Sequence, residues 1–546
     1  MSASSKKKLR NAQQADKMTE KQLQEQKEAK KLKIFTAAIV VVIALMVVVA
    51  AYTAISTTVS RNGVMERKTV ALTVGEHDIS NAELNYFYID AINSFYSNYG
   101  SYASLFGLDT TLPLNEQYVD EEASETWADY FIESAKSTIQ AVYALTDAAN
   151  AEGYTLTEDY LTSIDSTMTN MDAYAMLYGY SETEDYVKAL YGNGASVEGL
   201  RAYFELTALA DAYQTHYSES LTYEDADLRA AEEENPAQYS SFSYNSYYLA
   251  TSKFLEGGTT DEEGNTTYSD EEKAASVTAA EEAAKALAEG EYKDIAAFDA
   301  AIAALSINAE VENAASTAYT DTLYSSVNSV LRDWITDDSR EAGDITYIAS
   351  TSTSTDDEGN ETTTTNGYYV VVYSGSNDNT YPLANVRHIL VGFEGGTTDD
   401  YGNTTYSDEE KATAKTAAEE ILAEWEAGDA TEDSFATLAN EKSADSDGTD
   451  GGLYENVYPG QMVTNFNDWC FAEDRKAGDT GIVESSYGYH VMYYSGDSET
   501  NYRDYMIESE LRENDTTEWY TALVEAMTVT DGDTKYIAKD LVLSST

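Results

Sequence analysis

Residues 257–273 (GGTTDEEGNTTYSDEEK) recur at 395–411 (GGTTDDYGNTTYSDEEK) with two changes, Glu262 to Asp400 and Glu263 to Tyr401. The pairing continues downstream: Asp333-Trp334 matches Asp468-Trp469, Arg340 to Asp344 matches Arg475 to Asp479, and Gly367 to Val370 matches Gly488 to Val491. A chain built this way must fold one small domain twice, and the copies serve as controls for one another: what both retain is framework, and what differs is chemistry. Each copy reads as a strand (Ser246–Ala250, Val386–Val391), a polar Thr-rich hairpin, and a helix. The helix starts at Ser269 or Ser407 as N-cap, with Glu272 or Glu410 three positions on, the capping-box pattern. Strands and helices in this alternation give an α+β fold class.

Composition matters here because it is uneven. The formal net charge is −64. Residues 1–33 hold ten Lys/Arg against four Asp/Glu, a basic tail of +6, so the remainder carries −70. Such a body repels nucleic acid and anionic lipid surfaces and favours basic unfolded clients or bound cations. Ile34 to Ile55 is a 22-residue run without charge, about 33 Å as a helix, enough for one transmembrane span. Lys30, Lys31 and Lys33 before it put residues 1–33 in the cytoplasm and the body outside, a single-pass protein of the cell membrane. A cleaved signal peptide is the competing reading, against which stand the long basic region and the length of the apolar run. The single Cys470 permits no disulfide framework.

From 62 to 240 the pattern is mostly helical. Ser80 and Glu83 are placed to cap a first helix. Helical periodicity then recurs over 123–151, 158–171, 183–191, 196–217 and 223–234. Leu200, Tyr203, Leu206, Ala210, Tyr213 and Tyr217 share one face. Two modules of similar size follow, at 243–376 and 382–496. Residues 497–546 read as a helix and then a β-prone run, Lys535–Leu543, too short to fold alone and expected to dock on an earlier domain.

Four histidines occur: His77, His216, His388 and His490. The last two lie on the first and last strands of the second copy, and both imidazoles meet if those strands are neighbours. The positions aligned with them in the first copy are Ala250 and Tyr369. Paired histidines also complete purely structural hydrogen-bond networks, and His77 and His216 read as solvent-facing residues at a turn and near a helix end. The acidic loop around Asp399 lacks the alternating oxygen ligands of a calcium loop and reads as a solvated turn.

The order Val-Arg-His388-Ile-Leu-Val, helix, Ser434-Phe-Ala-Thr-Leu-Ala, Lys442-Ser-Ala-Asp445, Gly451-Gly-Leu-Tyr, Gly460-Gln-Met-Val-Thr-Asn-Phe466, Ala477-Gly-Asp, Tyr487-Gly-Tyr-His490-Val-Met resembles a parvulin-type peptidyl-prolyl cis/trans isomerase over about 382–496. The resemblance implies a small antiparallel sheet surrounded by helices. It also implies catalytic positions at His388, Asp445 and His490, with a proline pocket formed by Leu453, Met462 and Phe466 and edged by Tyr487. Glu394, Asp399 and Asp400 stand where phosphate-directed members have basic residues, so phosphoserine-proline selectivity is not implied. The wider order is similar to foldases of the PrsA and SurA type, whose helical chaperone domain opens with a strand and turn like Val70–Ile79; the additional copy departs from that pattern.

Rotating a prolyl bond breaks no covalent bond, so the reading calls for no cofactor and no metal. The expected function is an extracytoplasmic prolyl isomerase and chaperone for unfolded or partly folded exported polypeptides with X-Pro bonds, catalysed without covalent intermediates by the second copy. The first copy, lacking both histidines, is expected to be an inactive scaffold. The rival readings are a binding-only chaperone anchored in the membrane and an acidic cell-surface scaffold or adhesin.

Overall fold

The computed structural model describes residues 62–120, 124–261, 264–355, 359–399, 402–445 and 450–543. The chain divides into two compact units, one ending at Leu221 and rejoined from Asn514 onward, the other Thr222–Glu513.

In the first unit, β1 (Val70–Val74) and β2 (His77–Ser80) form an antiparallel hairpin. It feeds α1 (Asn81–Tyr99), whose N-cap Ser80 accepts the Glu83 amide hydrogen. α2 (Trp127–Glu152), α3 (Glu158–Leu177), α4 (Thr183–Tyr191) and α5 (Val197–Ser220) follow. Leu72, Ile79, Leu84, Tyr88, Phe131, Ile139 and Tyr213 share one core. The apolar face read from the 3.6-residue period of α5 is the one that packs: Leu200, Ala210 and Tyr213 are buried.

The β-prone run Lys535–Leu543 forms no strand. The strand lies earlier, at Val529–Asp531, and pairs antiparallel with β1. The run itself lies as an irregular segment, with Ile537 in the core and the Leu541 carbonyl accepting from the Leu114 amide at 3.0 Å. β-propensity there is overridden by packing, which seats Ile537 in the core.

The second unit opens with α6 (Asp225–Glu234) and then repeats one plan. The first module has β3 (Ser241–Ala250), α7 (Asp270–Ala288), α8 (Ile295–Ala303), β4 (Thr317–Leu323), β5 (Ile345–Thr355) and β6 (Glu361–Asn377) in sheet order β4-β3-β6-β5. The second has β7 (Pro382–Gly392), α9 (Asp408–Ala427), α10 (Glu432–Lys442), β8 (Leu453–Val457), α11 (Thr464–Cys470), β9 (Thr480–Glu484) and β10 (Gly488–Asn501) in order β8-β7-β10-β9. Strand pairs are antiparallel throughout. Alternation along each strand sends one set of side chains to the paired helices and the other to the opposite face. In the second module Ile389 and Val491 meet Ala418, Trp425 and Phe435, while Val386, Met492 and Tyr494 meet Phe466 and Cys470.

The duplicated segment does the same structural work in both copies. Ser269 with Glu272, and Ser407 with Glu410, make complete capping boxes. The same glutamates reach back to accept from the Gly258 and Gly396 amides, at 2.9 and 2.8 Å, tying each hairpin to its helix start. Asp399 is engaged by Asn403, which donates from its backbone at 2.9 Å and its side chain at 3.1 Å. The downstream motif is framework too, since Arg340 lies over Trp334 and Arg475 over Trp469.

One expectation of the fold class is corrected. Among the described residues no helix is long and apolar enough to cross a membrane, so the described architecture is a mixed helix-and-sheet chain with small antiparallel sheets and no transmembrane helix. The physical reason is charge: α2, the longest described helix, carries Asp129, Glu133, Lys136, Asp147 and Glu152. The segment 34–55, on which the span, the membrane contact and the single-pass placement were read, lies outside the described residues, as does the tail 1–33.

Candidate active site

β7 and β10 are neighbours at the centre of their sheet. The register pairs His388 with Met492 and Leu390 with His490, so the two histidines are diagonal neighbours on one face. Their Nδ1 atoms are 3.1 Å apart, and both residues are buried, at 4% and 5% exposure. His388 Nε2 lies 2.9 Å from Asp445 Oδ2, and His490 Nε2 lies 2.8 Å from Ser485 Oγ. Tyr454 donates its hydroxyl hydrogen to the same Asp445 oxygen at 2.8 Å.

These distances fix the hydrogens. A carboxylate only accepts, so His388 carries its hydrogen on Nε2 and leaves Nδ1 as acceptor; His490 then donates from Nδ1 and accepts at Nε2 from Ser485. The result is a one-way chain from Ser485 through His490 and His388 to Asp445, with both rings neutral. Burial pushes the His388 pKa down against the pull of Asp445. Burial and the neighbouring His388 pull His490 down to about 4.

That depression links stability to pH. Between pH 6.5 and about 4 the unfolded chain binds a proton at residue 490 that the folded chain refuses, so stability falls as pH is lowered through that window, by roughly 3 kcal/mol from this group. Denaturant midpoints of the full chain measured from pH 7 to 4 will show the fall, and His490→Gln will remove this part of the slope.

Phe466 on α11 closes the pair from one side, its ring edge-on to His388 at 5.3 Å and to His490 at 5.4 Å. Met462 is half-buried in the same cluster. Leu453 opens β8 opposite Arg387 and is half-buried. Tyr487 sits in the turn before β10 with its side chain 65% exposed; only its amide reaches the network, donating to Ser485 Oγ at 3.1 Å. The structure thus brings His388, Asp445, His490 and Phe466 into direct contact, with Met462 beside them and Leu453 and Tyr487 at the margins.

Two members of the network were not read from sequence. Tyr454 directly follows Leu453, and its ring lies 5.1 Å from His388; Ser485 heads the turn ahead of Tyr487. The only signal for either was adjacency to a named motif. Tyr454→Phe removes a hydroxyl held by a carboxylate and is expected to cost about 1.5 kcal/mol of stability, read by urea unfolding.

The motif Gly451-Gly452 is required by close approach. Gly452 has φ +64, and a Cβ there would lie 2.3 Å from the His388 carbonyl oxygen.

The register also corrects the counterpart of His388. Matching Gly367 to Gly488, β6 pairs Tyr369 with Tyr248 and Val371 with Ser246, so Ser246, not Ala250, stands where the second module has His388. The cause is a four-residue helical turn, Thr251–Phe254, between β3 and its hairpin, with no equivalent after β7. Tyr369 does correspond to His490.

Residues 369–495 match the family model described as the PPIC-type PPIase domain. Over these residues the chain is similar to parvulin-type isomerase domains. Its matched span begins on β6 and ends on β10. Foldase protein PrsA 1 of Listeria innocua serovar 6a is 35% identical over 112 residues, which cover 20% of this chain and 30% of that protein. Foldase protein PrsA 1 of Listeria monocytogenes serotype 4b is 34% identical over the same length and coverage. The chain therefore spans 30% of the length of these curated relatives. The crystal structure of peptidylprolyl isomerase PrsA from Bacillus cereus aligns over 27% of this chain and 50% of that one, with 26% identity and a TM-score of 0.17.

Proposed function

We propose that the protein is an extracytoplasmic prolyl isomerase and foldase whose second, parvulin-type module does the chemistry on exported polypeptides. The observation that carries the reading is the buried chain Asp445–His388–His490–Ser485 within the matched domain. The PrsA 1 foldases to which the domain is similar support an exported client.

Rotation about a peptide bond costs about 18 to 20 kcal/mol because conjugation holds the amide planar. Twisting localises the nitrogen lone pair and returns the carbonyl to ordinary double-bond character. A site lowers the barrier by binding the twisted amide better than either planar isomer. Phe466 and Met462 supply apolar surface for the proline ring and strip water from the amide, with Leu453 at the margin of the site. Neutral histidines suit this role: they hold Asp445 in place through a fixed hydrogen-bond direction without placing a cation beside the reacting carbonyl. The first module has Ser246 and Tyr369 at the histidine positions, while Val327 and Leu331 preserve an apolar wall. We read it as a scaffold without isomerase activity.

The test is a proline-limited refolding assay with the full chain. A client whose slow phase is set by X-Pro isomerisation, tens to hundreds of seconds unassisted, is expected to refold faster in proportion to added protein. Suppressed aggregation with an unchanged slow phase would leave a binding-only chaperone instead.

A further inference from the structure

The two modules share strand order but not strand length. β9 has five residues, whereas its counterpart β5 has eleven, and β6 extends to match. The extra length is a two-stranded ribbon: Ser350 to Thr355 pairs with Gly367 back to Glu361. Thr351–Thr355 and Glu361–Thr364 are exposed on both faces. Among the described residues β5 ends its sheet, so one side of this strand presents backbone N–H and C=O groups with no neighbouring strand there.

Other sheet edges of these modules are blunted in ways known to discourage strand addition. β4 contains Asp321 with φ 44 and a register break. β8 is five residues long, with Glu455 and Asn456 at φ 55. β9 is equally short. β5 lacks most of these devices: its sequence ITYIASTSTST contains no charge, proline or glycine and no residue of positive φ, and the one register shift in its pairing, between Thr365 and Gly367, lies on β6. Eleven uncharged edge residues are out of character in a chain with 24% charged residues. An isolated two-stranded ribbon is marginal in water, and a third strand would stabilise it.

Charge selects the occupant. In sequence β5 is flanked by Glu341 and Asp344 before it and Asp356, Asp357 and Glu358 after it. A second copy paired antiparallel would set the leading acidic flank against the trailing one, between bodies that already repel. An extended segment with a neutral centre and basic ends meets the opposite situation. We propose that the free edge of β5 is a second polypeptide-binding site, which takes such a segment as an added antiparallel strand. It works through the backbone and is independent of isomerisation by the second module.

The probe is a labelled peptide of eleven Thr, Val and Ser residues with two lysines at each end, titrated into the full chain. Binding is expected to slow amide exchange within 345–355 at least tenfold at saturation. The same peptide with proline at alternate positions, which lacks half the donors, is expected to give neither effect. Thr351→Lys with Thr353→Lys should weaken binding tenfold or more. Thr362→Lys with Thr364→Lys adds equal charge on the partner strand β6, away from the β5 edge, and should weaken it less than threefold. His388→Ala with His490→Ala should bind the peptide as the unmutated chain does, separating this site from the isomerase reading. Equal binding of the proline peptide, protection confined to other segments, or equal losses in the two lysine pairs would overturn the proposal. So would protection of 345–355 that rises with protein concentration in the absence of peptide, which would assign the edge to a second copy.

Discussion

Replacing His388 and His490 together by alanine is expected to lower the acceleration of prolyl isomerisation by about a hundredfold, equivalent to about 2.7 kcal/mol of transition-state stabilisation. The two rings form the middle of the only hydrogen-bonded route described from Ser485 to Asp445. Without them Asp445 loses its partner at 2.9 Å and keeps the Tyr454 hydroxyl, so the carboxylate is less firmly positioned. Phe466 loses both rings it packs against edge-on. Because the rings act through one another, each single alanine variant should cost nearly as much as the pair, and a double-mutant cycle should be strongly non-additive. Strict additivity, or a rate unchanged in the double variant, would remove the histidine pair from the mechanism.

Gly452→Ala is expected to destabilise the second module by about 3 kcal/mol or more. A left-handed φ costs an ordinary residue about 1 to 2 kcal/mol. Here the new methyl also meets the His388 carbonyl oxygen at 2.3 Å, a backbone atom that cannot move without pulling β7 away from β8. Gly460→Ala is the control: its φ is +89, but nothing lies within 4 Å of the added Cβ, so only the strain remains. Amide exchange on β7, measured in the full chain for both variants, separates clash from strain. Equal effects would mean that the close approach to His388 is absorbed by relaxation.

Much of this chain was legible before any coordinates, and for a local reason. Caps act over three residues and helical faces over four, so Ser80, Ser269 and Ser407 announced their helices, and the spacing of Leu200, Ala210 and Tyr213 announced a buried face. The duplicated segment showed two modules, and the resemblance of the second placed His388, Asp445, His490 and Phe466 in one site, where their atoms are found together. Comparison of the copies also identified framework, since the capping boxes and the Arg–Trp contacts occur in both.

What the sequence could not supply was register. His388 and His490 are 102 positions apart, and which residues face each other across such a gap is decided by strand pairing and intervening turns rather than by spacing. The helical turn Thr251–Phe254 shifts the first module by four residues and makes Ser246 the counterpart of His388. Tyr454 and Ser485 join the network for the same reason, each being carried to the histidines by a strand or turn from elsewhere in the module. The Lys535–Leu543 run had the composition of a strand and is held instead as an irregular segment by its packing on the core. The sequence by itself determined the elements, the duplication and the residue types of the site, because those depend on contacts within a turn or two of helix. Only the tertiary structure decided the direction of the hydrogen-bond chain, the true counterparts of the histidines and the unguarded edge of β5, because each depends on partners brought together across tens to a hundred residues.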